Sequence, residues 1–249
     1  NKILTNKKYF NKHKVRCKNC NLGFVYPPFN DAELEEYYNQ QYWDFRDQNE
    51  GSHIVSTDQN KDPKFTNAQL SLHQKRIDFI NSYVKDYKSV LDFGAGDCSA
   101  ASIFKNRGKS VTVYDFSSKS YDVSKQLGVK HTKDLTQLRN IDLVYSSHSL
   151  EHVSDIKIFF EKILNKYMST KYLFFETPNI KTDFVFNHLI HTPHTFMFNE
   201  VSFRAISQKF NLQILGIQHG GSHWSYFKND NRNCTPDIRV LFKNKNLKN

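Results

Sequence analysis

Two short stretches hold the residues whose types and spacing can do chemistry. The first is DFGAGD, Asp92 to Asp97, preceded by SVL and followed by CSAA. An apolar strand that runs into two glycines and then into small residues able to start a helix marks a loop whose backbone approaches a nucleotide. What is absent narrows the ligand. A phosphate cradle needs G-x-x-x-x-G-K followed by Ser or Thr, and no lysine stands at that place. A dinucleotide fingerprint needs a third glycine, whereas Asp97 and Cys98 follow Gly96 here, and an acid is unfavourable where a pyrophosphate would approach. Asp92 and Asp97 instead attract a cation, and Gly94 and Gly96 let the backbone come close to it. The loop therefore suits a ligand carrying an ammonium and a sulfonium. The next strand-like run, VTVYDF, ends in Asp115, about 20 residues beyond the loop, where a carboxylate can accept both hydroxyls of a ribose.

The second stretch is SSHSLEHV, which places His148, Glu151 and His152 just after another apolar run. On a helical turn His148 and His152, four apart, share a face, and Glu151 is three from His148. A histidine with an ordinary pKa near 6.5 is mostly neutral at neutral pH and can take a proton from a far less acidic hydroxyl. His152 is the expected general base, with His148 or His194 as the alternatives. In the competing reading His148 packs against the bound nucleotide and the Glu151–His152 pair is structural. One acid and two histidines are too few to assign a metal, and none is assigned. Residues 188–200, HLIHTPHTFMFNE, supply three histidines and several large apolar side chains, and are expected to form a substrate lid near 180–200. Tyr42 and Trp43 are further candidates to stack on a ring. His219, Gly220, Gly221 and Ser222 form a second glycine turn, whose plainest reading is the closing of a hairpin.

These residues need elements to position them. Short apolar strands are expected at 89–93, 111–115, 141–146 and 171–176, separated by helices near 98–107, 118–126 and 155–167. A long helix over 68–85 precedes them. Alternating strands and helices with near-continuous apolar strands predict an α/β fold with a parallel sheet between helices. The runs LQILGIQ, HWSYFK and DIRVLF, behind a helix at NEVSFRAISQKF, predict an antiparallel C-terminal hairpin. Residues 1–50 are expected to be a small N-terminal segment, irregular to Pro27 and Pro28, with a helix over 31–39 capped by Asp31. Residues 51–249 form the main domain, with a polar, turn-rich loop at 47–65.

Composition sets outer bounds. The chain has 249 residues, 38% of them apolar, and a net charge of +10. The charge sits at the ends: residues 1–18 carry seven basic residues and no acid, and residues 239–249 carry four and no acid, leaving 24 basic against 25 acidic between them. Basic ends on a neutral body read as solvated termini and argue against a nucleic-acid partner. No apolar run is long enough for a membrane span, and the start shows no signal-peptide core, so a cytoplasmic location is the default expectation. Cys17 and Cys20 form a C-x-x-C pair, half of a tetrahedral zinc site. Either an upstream pair completes it or the two are structural thiols, and the second reading is preferred.

DFGAGD, the YDFS after the second strand and DLVYSSHSLEHVSD together resemble the class I S-adenosylmethionine-dependent methyltransferases over nearly the whole chain. The resemblance implies a Rossmann-like fold with a mostly parallel seven-stranded sheet, S-adenosylmethionine as cofactor and S-adenosylhomocysteine as product. It implies that Asp92, Gly94 and Gly96 surround the methionine part and that Asp115 holds the ribose. Phe116 would lie against the adenine, Asp134 and Leu135 at its edge, and His148 beside the cofactor. The opening RCKNCNLGFVYPPFNDAELEEYYNQQYW is similar to the start of bacterial methyltransferases of sugars and polysaccharide precursors, and QHGGSHW resembles a C-terminal stretch of the nucleotide-sugar methyltransferases. Two features depart from the pattern: Cys98 replaces the last motif glycine, and the second large domain of the sugar C-methylating members is lacking. The expected function is transfer of a methyl group to a hydroxyl of a sugar or nucleotide-activated sugar in surface polysaccharide biosynthesis. The alternatives are a keto-sugar C-methyltransferase and an RNA methyltransferase. The Asp/Asn/Ser-Pro-Pro-aromatic string of base-amine methylation is replaced by SSHS, and no cysteine stands there for pyrimidine carbon methylation. The oligomeric state is left open.

Overall fold

The computed structural model describes residues 12–38, 64–180, 194–220 and 237–247 in full, and the backbone of 54–56. Tyr42, Trp43, most of the 47–65 loop, the run HWSYFK and the greater part of the expected lid lie outside the described residues.

The centre is a seven-stranded sheet. Its parallel half contains β5 (Ser89–Phe93), β6 (Ser110–Tyr114), β7 (Lys130–Thr132), β8 (Leu143–Ser147) and β9 (Tyr172–Pro178), and its antiparallel half contains β11 (Leu212–His219) and β12 (Asp237–Asn244). The spatial order is β11-β12-β9-β8-β5-β6-β7. Strands β5 and β8 run side by side in parallel, with Val90, Leu91 and Asp92 opposite Leu143, Val144 and Tyr145. The order reverses at β5, so the carboxyl ends of β5 and β8 frame the crevice where open α/β sheets bind ligands. The expected C-terminal hairpin is β11–β12, antiparallel from Leu212↔Asn244 to His219↔Ile238 with an irregularity between Ile214 and Gly216.

Period-two alternation divides the core into two layers. Leu91, Phe93, Val144, Leu173, Phe175, Val240 and Phe242 face one side, where Phe159, Phe160 and Ile163 of α5 (Ile156–Ile163) and Phe203 and Ile206 of α6 (Glu200–Lys209) cover them. Val90, Val113, Leu143, Tyr145, Phe174 and Leu241 face the other side. There they meet Ile77 and Ile80 of α2 (Asn67–Tyr83), Ala101 and Phe104 of α3 (Ser99–Asn106), and Val123 of α4 (Ser118–Gln126). Because these strands are buried on both faces they read as unbroken apolar runs, which is why their positions were predictable. The edge strand β7, with the sequence KHT, has no such signal and was not predicted.

The N-terminal segment differs from expectation. Residues read as irregular form a hairpin, β1 (His13–Arg16) with β2 (Gly23–Tyr26), and β2 also pairs with β10 (Phe196–Met197). The segment is thereby joined to the stretch expected to act as a lid. The helix that follows, α1 (Asp31–Tyr37), is capped by Asn30 rather than Asp31: Asn30 Oδ1 accepts from Glu33 N at 2.9 Å and Glu33 Oε2 accepts from Asn30 N at 2.9 Å. This reciprocal pair satisfies two end groups at once and displaces the single-residue cap predicted at Asp31. A two-stranded ribbon of β3 (Ile54–Ser56) and β4 (Lys64–Phe65) precedes α2. No helix among the described residues is long and apolar enough to cross a membrane.

Candidate active site

The glycine loop turns back over the end of β5. Gly94 donates to Tyr114 O at 2.7 Å, and its φ of +70° is one that side-chain-bearing residues rarely adopt. A Cβ on Gly94 would lie 2.2 Å from Ser149 Oγ, which itself donates to Gly94 O at 3.0 Å. The loop is thus locked face to face with the segment after β8. Gly96 is also left-handed at φ +55°, and its amide donates to Asp115 Oδ2 at 2.9 Å. Cys98, where the motif's last glycine was missed, keeps the glycine conformation at φ +61° and is fully buried.

The acids of the loop take unlike roles. Asp97 is turned inward: its Oδ1 accepts from Ser99 N at 3.0 Å and Ser99 Oγ at 2.7 Å. Asp115 accepts the amides of Gly96 and of Ser117, the latter at 2.8 Å, which leaves about two of its four acceptor positions for a pair of hydroxyls. Asp92 is 2% exposed, and its Oδ2 has no hydrogen-bond partner. Burial, reinforced by the charges of Asp97 and Asp115, pushes its carboxyl up to about 8.

Beside the loop lies a cavity of about 290 Å³. Gly94, Gly96, Asp115, Phe116, Leu135 and His148 line it, all residues singled out in the sequence. Asp92 sits beneath the loop, outside the lining. Asp134 is also outside it, because its carboxylate caps a 3-10 turn by accepting from Thr136 N at 2.8 Å. The lining includes residues that sequence reasoning missed: Ser149, the ring of Tyr114, and Asp31, Leu34 and Tyr38 of the N-terminal segment. The contribution of α1 had one legible signal, the apolar Leu34 and Tyr38 four apart on a short polar helix.

The histidine motif is not a helix face. His148 stands at φ +54°, with its amide donating to Glu176 O at 2.8 Å, before a 3-10 turn over Leu150–His152. This turn puts Glu151 between the two imidazoles: His148 Nδ1 is 3.6 Å and His152 Nε2 3.8 Å from Glu151 Oε1. His152 also lines the cavity, and its ring meets that of His194 at 4.8 Å and that of Tyr38 at 5.6 Å. The structure therefore brings together all four residues proposed for catalysis, with His194 standing two residues before β10, the strand that pairs with β2. His219 lies apart from them and bonds Glu200 Oε2 at 2.8 Å.

Below the histidines is a buried ionic network that the sequence reading did not find. Glu176 receives Arg76 Nε at 2.5 Å and Arg239 at 2.6 Å, and His148 Nε2 lies 3.6 Å from Glu176 Oε1 and 3.7 Å from Asp237 Oδ1. Burial disfavours a charge on His148, but Glu151, Glu176 and Asp237 outweigh it and lift the imidazole to about 10. Burial likewise opposes a charge on Glu176, yet His148, Arg76 and Arg239 hold its carboxyl well below the usual range. The available signal was a charged residue inside an apolar strand, Glu176 in YLFFETP and Asp237 in DIRVLF, since a buried charge requires a partner.

The model of the methyltransferase domain family matches residues 65–217, more than half of the chain. The chain belongs to this methyltransferase family. Among solved structures, a S-adenosylmethionine-dependent methyltransferase from Archaeoglobus fulgidus shares 18% identity at a TM-score of 0.60, covering 82% of this chain and all of that one. Magnesium protoporphyrin IX methyltransferase from Synechocystis shares 15% at 0.57, covering 86% of this chain and all of that one. A small RNA methyltransferase shares 16% at 0.51, covering 73% of this chain and 26% of that one. At these identities the likeness is one of fold. No curated protein matches the chain in sequence. The methyltransferase uses S-adenosylmethionine, and the residues present fit it: a glycine cradle that a Cβ would fill, an acid with acceptor positions to spare, and a buried acid with an unbonded oxygen.

Proposed function

We propose that this methyltransferase acts on a hydroxyl of a small acceptor, a sugar or nucleotide-activated sugar of surface polysaccharide synthesis. The observation that carries the reading is the group at the cavity mouth, where His152 lines the wall with His194 against it and Glu151 behind. An amine acceptor attacks through its own lone pair, whereas a hydroxyl, like the C–H beside a ketone, must lose its proton to a base.

Asp115 and the Gly94–Gly96 backbone hold the nucleoside and methionine parts, and Phe116 and Leu135 supply the apolar wall for the base. Bound there, S-adenosylmethionine supplies a sulfonium methyl that passes to the acceptor oxygen while the electron pair of the broken carbon–sulfur bond stays on sulfur. His152 accepts the hydroxyl proton on its ring nitrogen. Of the three histidines it is best placed to do so: His148 also lines the cavity but is hemmed in by three carboxylates that favour its protonated form, and His194 stands behind His152. Tyr38 and α1 close the cavity on the acceptor side and exclude water. The sugar part of the reading is supported by the resemblance of RCKNCNLGFVYPPFNDAELEEYYNQQYW and QHGGSHW to sugar methyltransferases, and by a body between the basic ends that is near neutral in net charge.

The test is S-adenosylhomocysteine formation with a panel of nucleotide-activated sugars, with bulk tRNA and no acceptor as controls. Product with a sugar and none with tRNA is expected, and His152→Ala should lower kcat by about 10²–10⁴-fold while cofactor affinity holds. Turnover on tRNA with silence on every sugar would overturn the acceptor class. Full turnover by His152→Ala would remove the base.

A further inference from the structure

Glu151 is the least satisfied charged group near the cavity. Its side chain is 1% exposed, and neither carboxylate oxygen has a hydrogen-bond partner. A buried carboxylate left in this way is costly, and in folded proteins such groups are paired or bind metal ions. Of the cationic groups nearby, Arg76 and Arg239 both go to Glu176, and the His148 imidazolium, 3.6 Å from Glu151 Oε1, is shared with Glu176 and Asp237. What faces Glu151 is imidazole. One ligand atom each from Glu151, His152 and His194 lie within 4.8 Å of one another, and two of these side chains are buried.

We propose that Glu151, His152 and His194 bind a divalent first-row transition ion at the mouth of the cofactor cavity. Bonds of about 2.0–2.2 Å from nitrogen and carboxylate oxygen to an ion place neighbouring ligand atoms about 3–3.6 Å apart. The three atoms need to close by only about 1 Å to reach this. Two imidazoles and one carboxylate favour an ion between manganese and zinc over magnesium or calcium, which prefer oxygen throughout. Three protein ligands on one side leave open positions on the other, where His152 borders the cavity. A second cluster, His148, Glu176 and Asp237, has similar spacing, but Arg76 and Arg239 already neutralise Glu176 and would repel a cation.

The inference rests on the hydroxyl reading and changes one part of it. With the ion in place, His152 is a ligand. The acceptor hydroxyl joins an open position, where the cation's charge makes it more acidic and its proton leaves to bulk water. Tyr38 and the α1 side of the cavity then orient the rest of the acceptor.

The experiment is titration of the whole protein, saturated with S-adenosylhomocysteine, with Mn²⁺ followed by electron paramagnetic resonance. Mn²⁺ is chosen because the thiols of Cys17 and Cys20 compete poorly for it. One ion per chain is expected. Glu151→Gln and His194→Ala should each weaken it by more than the about 10–100-fold that losing a more remote partner costs. Cys17→Ser with Cys20→Ser should leave it unchanged. Retained S-adenosylhomocysteine binding shows that each variant is folded. The absence of saturable Mn²⁺ binding, or equal binding by Glu151→Gln, overturns the metal site. The two readings fail separately. Methylation of a sugar hydroxyl that resists chelators, with no Mn²⁺ bound, removes the ion and leaves His152 as the base. Specific Mn²⁺ binding with no methylated sugar removes the acceptor class and leaves the ion.

Discussion

The buried acid at the end of β5 gives a prediction that can be worked through from structure to measurement. Asp92 is 2% exposed, and the nearest charges are those of Asp97 and Asp115. Burial, then these two acids, lift its carboxyl from 3.8 to about 8. Without ligand, the folded protein therefore keeps a proton on Asp92 over a range in which the unfolded chain has lost it. The protein's stability should fall as pH rises from about 4 to about 8 and level off above, because the native state binds the extra proton in that window. At about 1.4 kcal/mol per pH unit the full window is worth at most about 6 kcal/mol. Asp92→Asn keeps the shape and removes the titration. Urea unfolding of both proteins from pH 4.5 to 9 should show near-equal stability at the acid end and a growing advantage for the variant toward pH 8.5. An advantage that does not change with pH would refute the reasoning.

The same group links the loop to its ligand. A sulfonium and an ammonium near the loop favour the ionised acid, so S-adenosylmethionine should release up to one proton on binding at pH 6–7.5. S-adenosylhomocysteine, which lacks the sulfonium charge, should release less. Calorimetry in two buffers of unlike ionisation heat reads both numbers. Equal release by the two ligands would separate Asp92 from recognition of the methyl donor.

Two further substitutions test the frame around the site. Glu176→Gln leaves Arg76 and Arg239 without their shared carboxylate and should cost about 3–5 kcal/mol in thermal or urea unfolding; a loss below about 1 kcal/mol would mean that the guanidinium groups find other partners. Gly94→Ala combines a left-handed backbone at about 1–2 kcal/mol with a Cβ 2.2 Å from Ser149 Oγ, an overlap of about 1–3 kcal/mol. Its melting point should fall accordingly, and an unchanged melting point would show that Ser149 can move aside.

What the sequence made legible and what it hid follow from how far apart in the chain the partners lie. β5, β6, β8 and β9 announce themselves because burial on both faces demands a local run of apolar residues, and the nucleotide loop does so because its chemistry lies within six residues. The N-terminal hairpin was hidden because β2 takes its third strand from Phe196 and Met197, more than 170 residues away. The ionic network was hidden for the same reason: Arg76, Glu176, Asp237 and Arg239 come from α2, β9 and β12. Helical spacing also misled at the histidines, since it predicts that His148 and His152 share a face, whereas the left-handed turn at His148 sends them to either side of Glu151. That turn ties the parts together. The His148 amide is bonded to the Glu176 carbonyl and its ring is held among three acids, so the charge network beneath the sheet edge fixes the direction in which Glu151 and His152 leave β8. The chemistry at the cavity mouth thus depends on residues that never reach it.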